Sequence, residues 1–207
     1  MARRYLQFCP LAKALDVLGE RWTLLIVREL LTGPKRYTDL RKGLPGLATD
    51  LLAARLRELQ DAGVIDRREV PPPTPATVYE LTERGFALKP ALLELSRWGR
   101  PLLREPDADH LPDSALLLGL EVAFRPEAAG DRRETYDFDV EGLQVAVRVH
   151  DGTVDIVPGS AGDDASATVV TDRQGFIELA LGQAGESVRV EGDADALVRL
   201  RQMFSLA

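Results

Sequence analysis

Cysteine is nearly missing from this chain of 207 residues, and the one present, Cys9, excludes an internal disulfide framework and any multi-cysteine zinc site. Histidine is almost as scarce. His110 falls in a Pro-containing acidic stretch and His150 stands beside an Asp-Gly turn, and neither has a spaced Ser, Cys or metal-ligating partner. The glycines follow no phosphate-cradling pattern. Catalysis is therefore not expected, nor is any metal or cofactor. No apolar run reaches the roughly 18 residues of a membrane span, and Met1-Ala-Arg-Arg-Tyr5 leads into no signal-peptide core. A cytoplasmic protein is the expectation. Internal repeats are lacking too.

What is present is a charge asymmetry. The net charge of −7 hides two opposite halves. Residues 1–105 carry 18 Lys and Arg against 13 Asp and Glu, a net of +5; residues 106–207 carry 8 against 20, a net of −12. Opposite signs imply two domains with different partners. The basic half suits a polyanion, and the acidic half avoids one.

The basic half reads as helices followed by a two-stranded ribbon. Pro10 suits the first turn of a helix carrying Leu11, Leu15 and Leu18 and ending at Gly19. A second helix is expected over about 21–31, a short third over 37–42, and a fourth over 48–62 with Leu52, Leu56 and Leu59 on one face. Leu44-Pro45-Gly46 punctuates the last two. Strands are expected over 64–69 and 77–81 around the Pro-rich tip 70–76. Thr82 then caps a long helix to about Leu103, kinked by Pro90. This is the layout of a winged helix-turn-helix, which reads double-stranded DNA.

Residues 104–113, REPDADHLPD, read as a linker. Beyond it come a helix over 114–124 and alternating strands through Tyr136, Phe138, Val140, then Val145, Val147, Val149, then Val154 and Ile156. The breaks at Glu141-Gly142 and Asp151-Gly152 are tight-turn signals. A strand over 167–171, a helix capped by Asp172, a strand over 187–191 and a last helix capped by Asp193 complete an α+β domain. The expected division is a winged helix-turn-helix over 1–105, a linker over 106–113 and an α+β domain with a mainly antiparallel sheet over 114–207.

A recognition helix enters the major groove by its N-terminal residues. With its leucines turned inward, the outward set is Thr49, Asp50, Ala53 and Arg57, with Arg55 at the flank. Lys35 and Arg36 precede the third helix and are placed to hold the phosphate backbone. Arg67 and Arg68 lie on the wing strand, where alternation points them opposite ways.

Cys9-Pro10, Glu20-Arg21-Trp22, Arg36-Tyr37-Thr38-Asp39-Leu40, Leu44-Pro45-Gly46-Leu47-Ala48-Thr49, Arg55-Leu56 and Tyr79-Glu80-Leu81-Thr82 with Gly85 occur in order. Over about 7–104 the chain thereby resembles the HxlR-type transcriptional regulators, a family similar to the MarR group. The resemblance implies a homodimer formed through the first and last helices of the domain, each protomer reading half of a near-palindromic DNA operator. It also implies a redox-sensing role for Cys9, whose residue-based reading is a small apolar side chain. Two departures stand out. Asp50 faces phosphate poorly but can accept a hydrogen bond from cytosine N4. Ala76 and Thr77 replace the wing arginine common before Val-Tyr-Glu.

Asp151-Gly152-Thr153-Val154, Ala167-Thr168-Val169, Leu181-Gly182 and Val190-Glu191-Gly192-Asp193 resemble the sterol carrier protein type 2 family over about 113–207. This resemblance implies an apolar small-molecule site lined by Phe124, Phe138, Val147, Phe176, Leu200 and Phe204. The same residues suit a plain core. Three readings follow: a ligand-gated regulator, a regulator with a structural or dimerising second domain, and an apolar-ligand carrier with an inactive helix-turn-helix.

Overall fold

A computed structural model describes residues 5–71, 75–103, 111–181, 183, 186–193 and 195–205. Its α+β chain divides into two compact units, the first ending at Leu92 and the second beginning at Leu93. Residues 106–110 of the expected linker, His110 among them, and 72–74 of the wing tip lie outside the described residues.

The first unit begins with α1 (Pro10–Leu18), which has proline in its first turn and stops at Gly19. Helix α2 (Thr23–Leu31) starts two residues later than expected, because Trp22 stands at its N-cap with φ 80°. A left-handed backbone at a bulky residue is a costly conformation that ends one helix path and begins another. Then come β1 (Lys35–Arg36), α3 (Tyr37–Gly43), α4 (Thr49–Asp61), β2 (Ile65–Val70) and β3 (Ala76–Leu81). Strand β1 was not foreseen. It pairs antiparallel with β3 through Lys35–Tyr79 and Arg36–Val78, so the sheet has three strands in the order β1-β3-β2. Two residues are too few to show an alternating pattern.

The expected long helix after Thr82 is two helices, α5 (Glu83–Phe86) and α6 (Lys89–Gly99), followed by a 3-10 turn over Arg100–Leu102. Pro90 has no N–H to bond the Phe86 carbonyl, so the helix breaks at Ala87-Leu88 instead of bending. Thr82 ties the wing to this corner. Its hydroxyl accepts from Gly85 N–H at 3.1 Å and donates to the Gly63 carbonyl at 2.8 Å. A Cβ at Gly85 would collide with the Val64 carbonyl, so that close approach requires glycine. Ile26, Leu30, Leu40, Leu52, Leu56, Leu59 and Ile65 form the buried core.

The second unit takes the rest of α6 from Leu93 and the 3-10 turn, then α7 (Asp113–Ala123), α8 (Pro126–Ala129), β4 (Arg133–Val140), β5 (Leu143–His150), β6 (Thr153–Pro158), β7 (Ala167–Thr171), α9 (Arg173–Ala180), β8 (Arg189–Gly192) and α10 (Ala196–Met203). The sheet order is β6-β5-β4-β7-β8. Among the described strands the β4–β7 pairing is parallel and the others are antiparallel. Both hairpins turn on two residues with positive φ, Glu141-Gly142 and Asp151-Gly152, which match the right-handed twist of their strands. Helix α8 is too short for a helical period to reveal. Asp193 does not occupy the N-cap of α10; Asp195 does. The Asp193 carboxylate accepts from Asp195 N–H at 2.9 Å and pairs with Arg199. One face of the sheet, carrying Tyr136, Phe138, Val140, Val145, Val147, Val149 and Val169, is buried with residues of α7, α9 and α10.

Asp172 caps α9 as expected, accepting from Gly175 N–H at 2.7 Å and from the Ser187 hydroxyl at 2.8 Å. These two bonds, the Gly175 one first, hold its carboxyl below the usual aspartate range. Its stabilising effect is thus complete above about pH 4, the unfolded value, and is lost as pH falls through the lower folded value. Acid unfolding of the full chain and of Asp172→Asn, followed by circular dichroism, is expected to show a smaller loss of stability below about pH 4 in the variant.

Candidate nucleic-acid interface

The helix-turn-helix is assembled around one buried carboxylate. Glu29, on α2, is only 1% exposed. It pairs with Arg28 at 2.9 Å and with Lys35 of β1 at 3.2 Å. Gly43, at the end of α3, packs so closely on this carboxylate that a Cβ there would overlap it. One side chain therefore links α2, the sheet edge and the close of α3. Next comes the turn. Leu47 N–H donates to the Leu44 carbonyl at 3.2 Å across Pro45 and Gly46, and Gly46 has φ 84°. Proline then glycine at these two positions is the type II pattern. Leu44 and Leu47 are buried on either side of it.

Helix α4 follows directly. The Tyr37 hydroxyl, at the start of α3, donates to the Thr49 carbonyl at 2.8 Å, fixing the first turn of α4 against α3. Leu52, Leu56 and Leu59 face the core as their spacing predicts. Thr49, Asp50 and Arg57 are exposed, and Ala53 is half-buried beside them.

The other nominated cations are differently occupied. Lys35 is bound to Glu29. Arg55 is 13% exposed and lies between Glu20, at 2.7 Å, and Glu58. On the wing, Arg68 makes a two-pronged contact with Glu80, at 3.0 and 3.1 Å, which raises the guanidinium pKa through hydrogen bonding and charge. Arg67 reaches Glu69 only at 3.5 Å. These two arginines do point opposite ways: Arg67 is registered with Tyr79 and Arg68 with Val78. Arg36 is exposed at the N-cap of α3, where its N–H donates to the Asp39 carboxylate at 3.2 Å.

Arg41 and Lys42, exposed in the last turn of α3, were missed by the sequence reading. Their adjacency to the Leu-Pro-Gly turn was the available signal. The carboxylates that occupy Lys35, Arg55 and Arg68 were missed as well. Of these pairings only Arg55–Glu58, three residues apart on one helix, is readable from spacing.

Cys9 is partly exposed at the N-cap of α1. In the second unit the six nominated lining residues share one interior. Phe138, Val147, Phe176, Leu200 and Phe204 are buried and Phe124 is partly so. Phe124 and Phe204 lie 5.3 Å apart between ring centroids, and Phe138 meets Phe176 edge to face at 6.2 Å. No helix among the described residues is long and apolar enough to cross a membrane.

The HxlR-like helix-turn-helix family profile matches residues 17–107. The HTH-type transcriptional regulator YvaP of Bacillus subtilis is 44% identical over 94 residues, which are 44% of this chain and 86% of that protein. The HTH-type transcriptional regulator YodB of the same organism is 35% identical over 91 residues, 44% of this chain and 81% of the relative. Among solved structures, the reduced form of YodB aligns with 49% of this chain and 100% of its own, at 32% identity and a TM-score of 0.42. Each of these matches spans less than half of this chain.

Removing the buried carboxylate leaves Lys35 and Arg28 without their shared partner. Glu29→Gln is expected to lower the unfolding free energy of the full chain by about 3 kcal/mol, the lower end for breaking a buried pair, since both cations keep some solvent. Urea unfolding monitored by circular dichroism checks it. A midpoint unchanged from wild type would show that the carboxylate does not hold α2, β1 and α3 together.

Proposed function

Because this chain belongs to the HxlR-like helix-turn-helix family, we propose that it is a sequence-specific, DNA-binding transcriptional regulator that acts as a homodimer. The observation that carries the reading is the first turn of α4. It is solvent-facing, anchored to α3 by Tyr37, and bears the polar side chains Thr49 and Asp50, which have no side-chain partner among the described residues. That is the part of a helix-turn-helix that meets base edges. Arg36, Arg41, Lys42 and Arg57 are exposed cations of the same unit and supply attraction to phosphates. With Lys35, Arg55 and Arg68 held by carboxylates, the phosphate grip is modest.

The dimer is supported by exposed apolar side chains. Phe8, Leu11 and Leu15 are uncovered at α1, and Leu95, Trp98 and Leu102 along and after α6, with Trp98 73% exposed. A second copy covering them matches what the family resemblance implies for the first and last helices. Leu95→Glu/Trp98→Glu is expected to sediment as a monomer and to bind a labelled duplex from upstream of its own gene more weakly. Wild-type affinity is expected to fall at least about tenfold between about 50 and about 200 mM salt, as phosphate contact requires. Salt-independent binding, or a double variant that remains dimeric, overturns the corresponding part of the reading.

The second unit is proposed as the effector-binding part, taking an apolar small molecule among Phe124, Phe138, Val147, Phe176, Leu200 and Phe204. Their convergence on one interior, where Phe124 meets Phe204 and Phe138 meets Phe176, supports this. A ligand acts on DNA binding only by its different affinity for two arrangements of the protein. Thermal shift of the full chain with long-chain fatty acids and sterols is expected to raise the melting temperature with one of these classes. No shift with either would leave the second unit as a structural or dimerising domain.

A further inference from the structure

Asp50 is the second residue of α4, on the turn that faces away from the core. A carboxylate only accepts hydrogen bonds, and no described residue supplies Asp50 with a donor or a cation. Two cations of the same module are engaged elsewhere: Arg55 by Glu20 and Glu58, and Lys35 by Glu29. Arg57, the other cation of α4, is seven residues further on, about 10.5 Å along the helix and on nearly the same face. An exposed anion at the position where a helix-turn-helix meets base edges is unfavourable beside phosphates unless it finds a donor there.

The chemistry of the major groove narrows that donor. Guanine presents two acceptors and thymine one acceptor and a methyl group, so both repel a carboxylate or leave it dry. Adenine offers an amine, but its N7 acceptor sits beside that amine and opposes the second carboxylate oxygen. Cytosine offers the N4 amine. We propose that Asp50 determines the base preference of this protein by accepting a hydrogen bond from the N4 amine of a cytosine in each half-site. This rests on the DNA-binding reading given above. Asp50 acts more by exclusion than by attraction. The wrong base leaves a desolvated, unpaired anion, and Arg57 provides a non-selective counterweight.

Selection of binding duplexes from a randomised pool by the full chain tests this. Wild type is expected to enrich a cytosine at one position of each half-site. Replacing that C·G pair should weaken binding by roughly tenfold to a hundredfold. Asp50→Asn exchanges one acceptor oxygen for a donor and is expected to move the preference to adenine, which an amide meets with two hydrogen bonds. Asp50→Ala should lose the preference at that position alone, and Arg57→Ala should weaken all duplexes without altering the preferred base. If Asp50→Asn and Asp50→Ala, folded by circular dichroism, select the wild-type sequence, Asp50 only favours the start of the helix and the inference fails while DNA binding stands. If wild type enriches no sequence, the DNA-binding reading and the inference fail together.

Discussion

The buried carboxylate of Glu29 is the constraint on which the reading head depends. An anion excluded from water must be met by cations and donors, or the fold loses several kcal/mol. Here the cations come from its own helix, Arg28, and from the sheet edge, Lys35. The two residues of β1 are thereby held against β3, and α3 begins at the very next residue. Gly43 lets the other end of α3 close over the same group. The position of α3 then sets that of α4, through the turn at Pro45-Gly46 and the Tyr37–Thr49 hydrogen bond. Charge compensation inside the unit thus bears on where α4 lies, while its leucines decide which of its residues stand outside.

The same economy of charge explains a mismatch between composition and interface. The first half of the chain is basic, yet three of its nominated DNA-binding cations are satisfied internally. Lys35 neutralises a buried anion, Arg55 lies between two glutamates, and Arg68 is bound by Glu80 in a geometry that fits a guanidinium fork. Near the helix-turn-helix, the cations that face solvent without a described carboxylate partner include Arg36, Arg41, Lys42 and Arg57. Net charge counts residues, whereas an interface depends on which of them have spare donors.

The second unit follows a different physical rule. Its core is a sheet with one face of alternating aliphatic and aromatic residues, closed by helices, and its two hairpins turn on left-handed pairs ending in glycine. Among its polar bonds, those of Asp172 with Gly175 and Ser187 secure the start of α9, and Arg199 ties α10 to Asp193 before it and to Glu134 on β4. The nominated lining residues are the core itself, ring against ring.

Much of this architecture was written locally. Leucines every three to four residues in α4, valines every two in β5, the turn residues Pro45-Gly46, Glu141-Gly142 and Asp151-Gly152, and the caps Thr82 and Asp172 each act within a few residues of chain. Their structural consequences were therefore legible from order alone, as was the exposed face of α4 bearing Thr49, Asp50 and Arg57. Tertiary structure decided what depends on distant partners. Strand β1 exists because β3, more than forty residues later, offers hydrogen bonds to Lys35 and Arg36. Trp22 takes a left-handed backbone where its ring approaches Gly46 of the helix-turn-helix turn, a neighbour that chain order does not reveal. The helix after Thr82 breaks outright at Ala87-Leu88, just ahead of Pro90, where local rules alone allow either a bend or a break. Above all, the pairing of Arg55 with Glu20 across 35 residues, and of Lys35 with the buried Glu29, removed two cations from the surface. Sequence spacing places a charge on a face, but only the folded chain determines whether that charge is already spent.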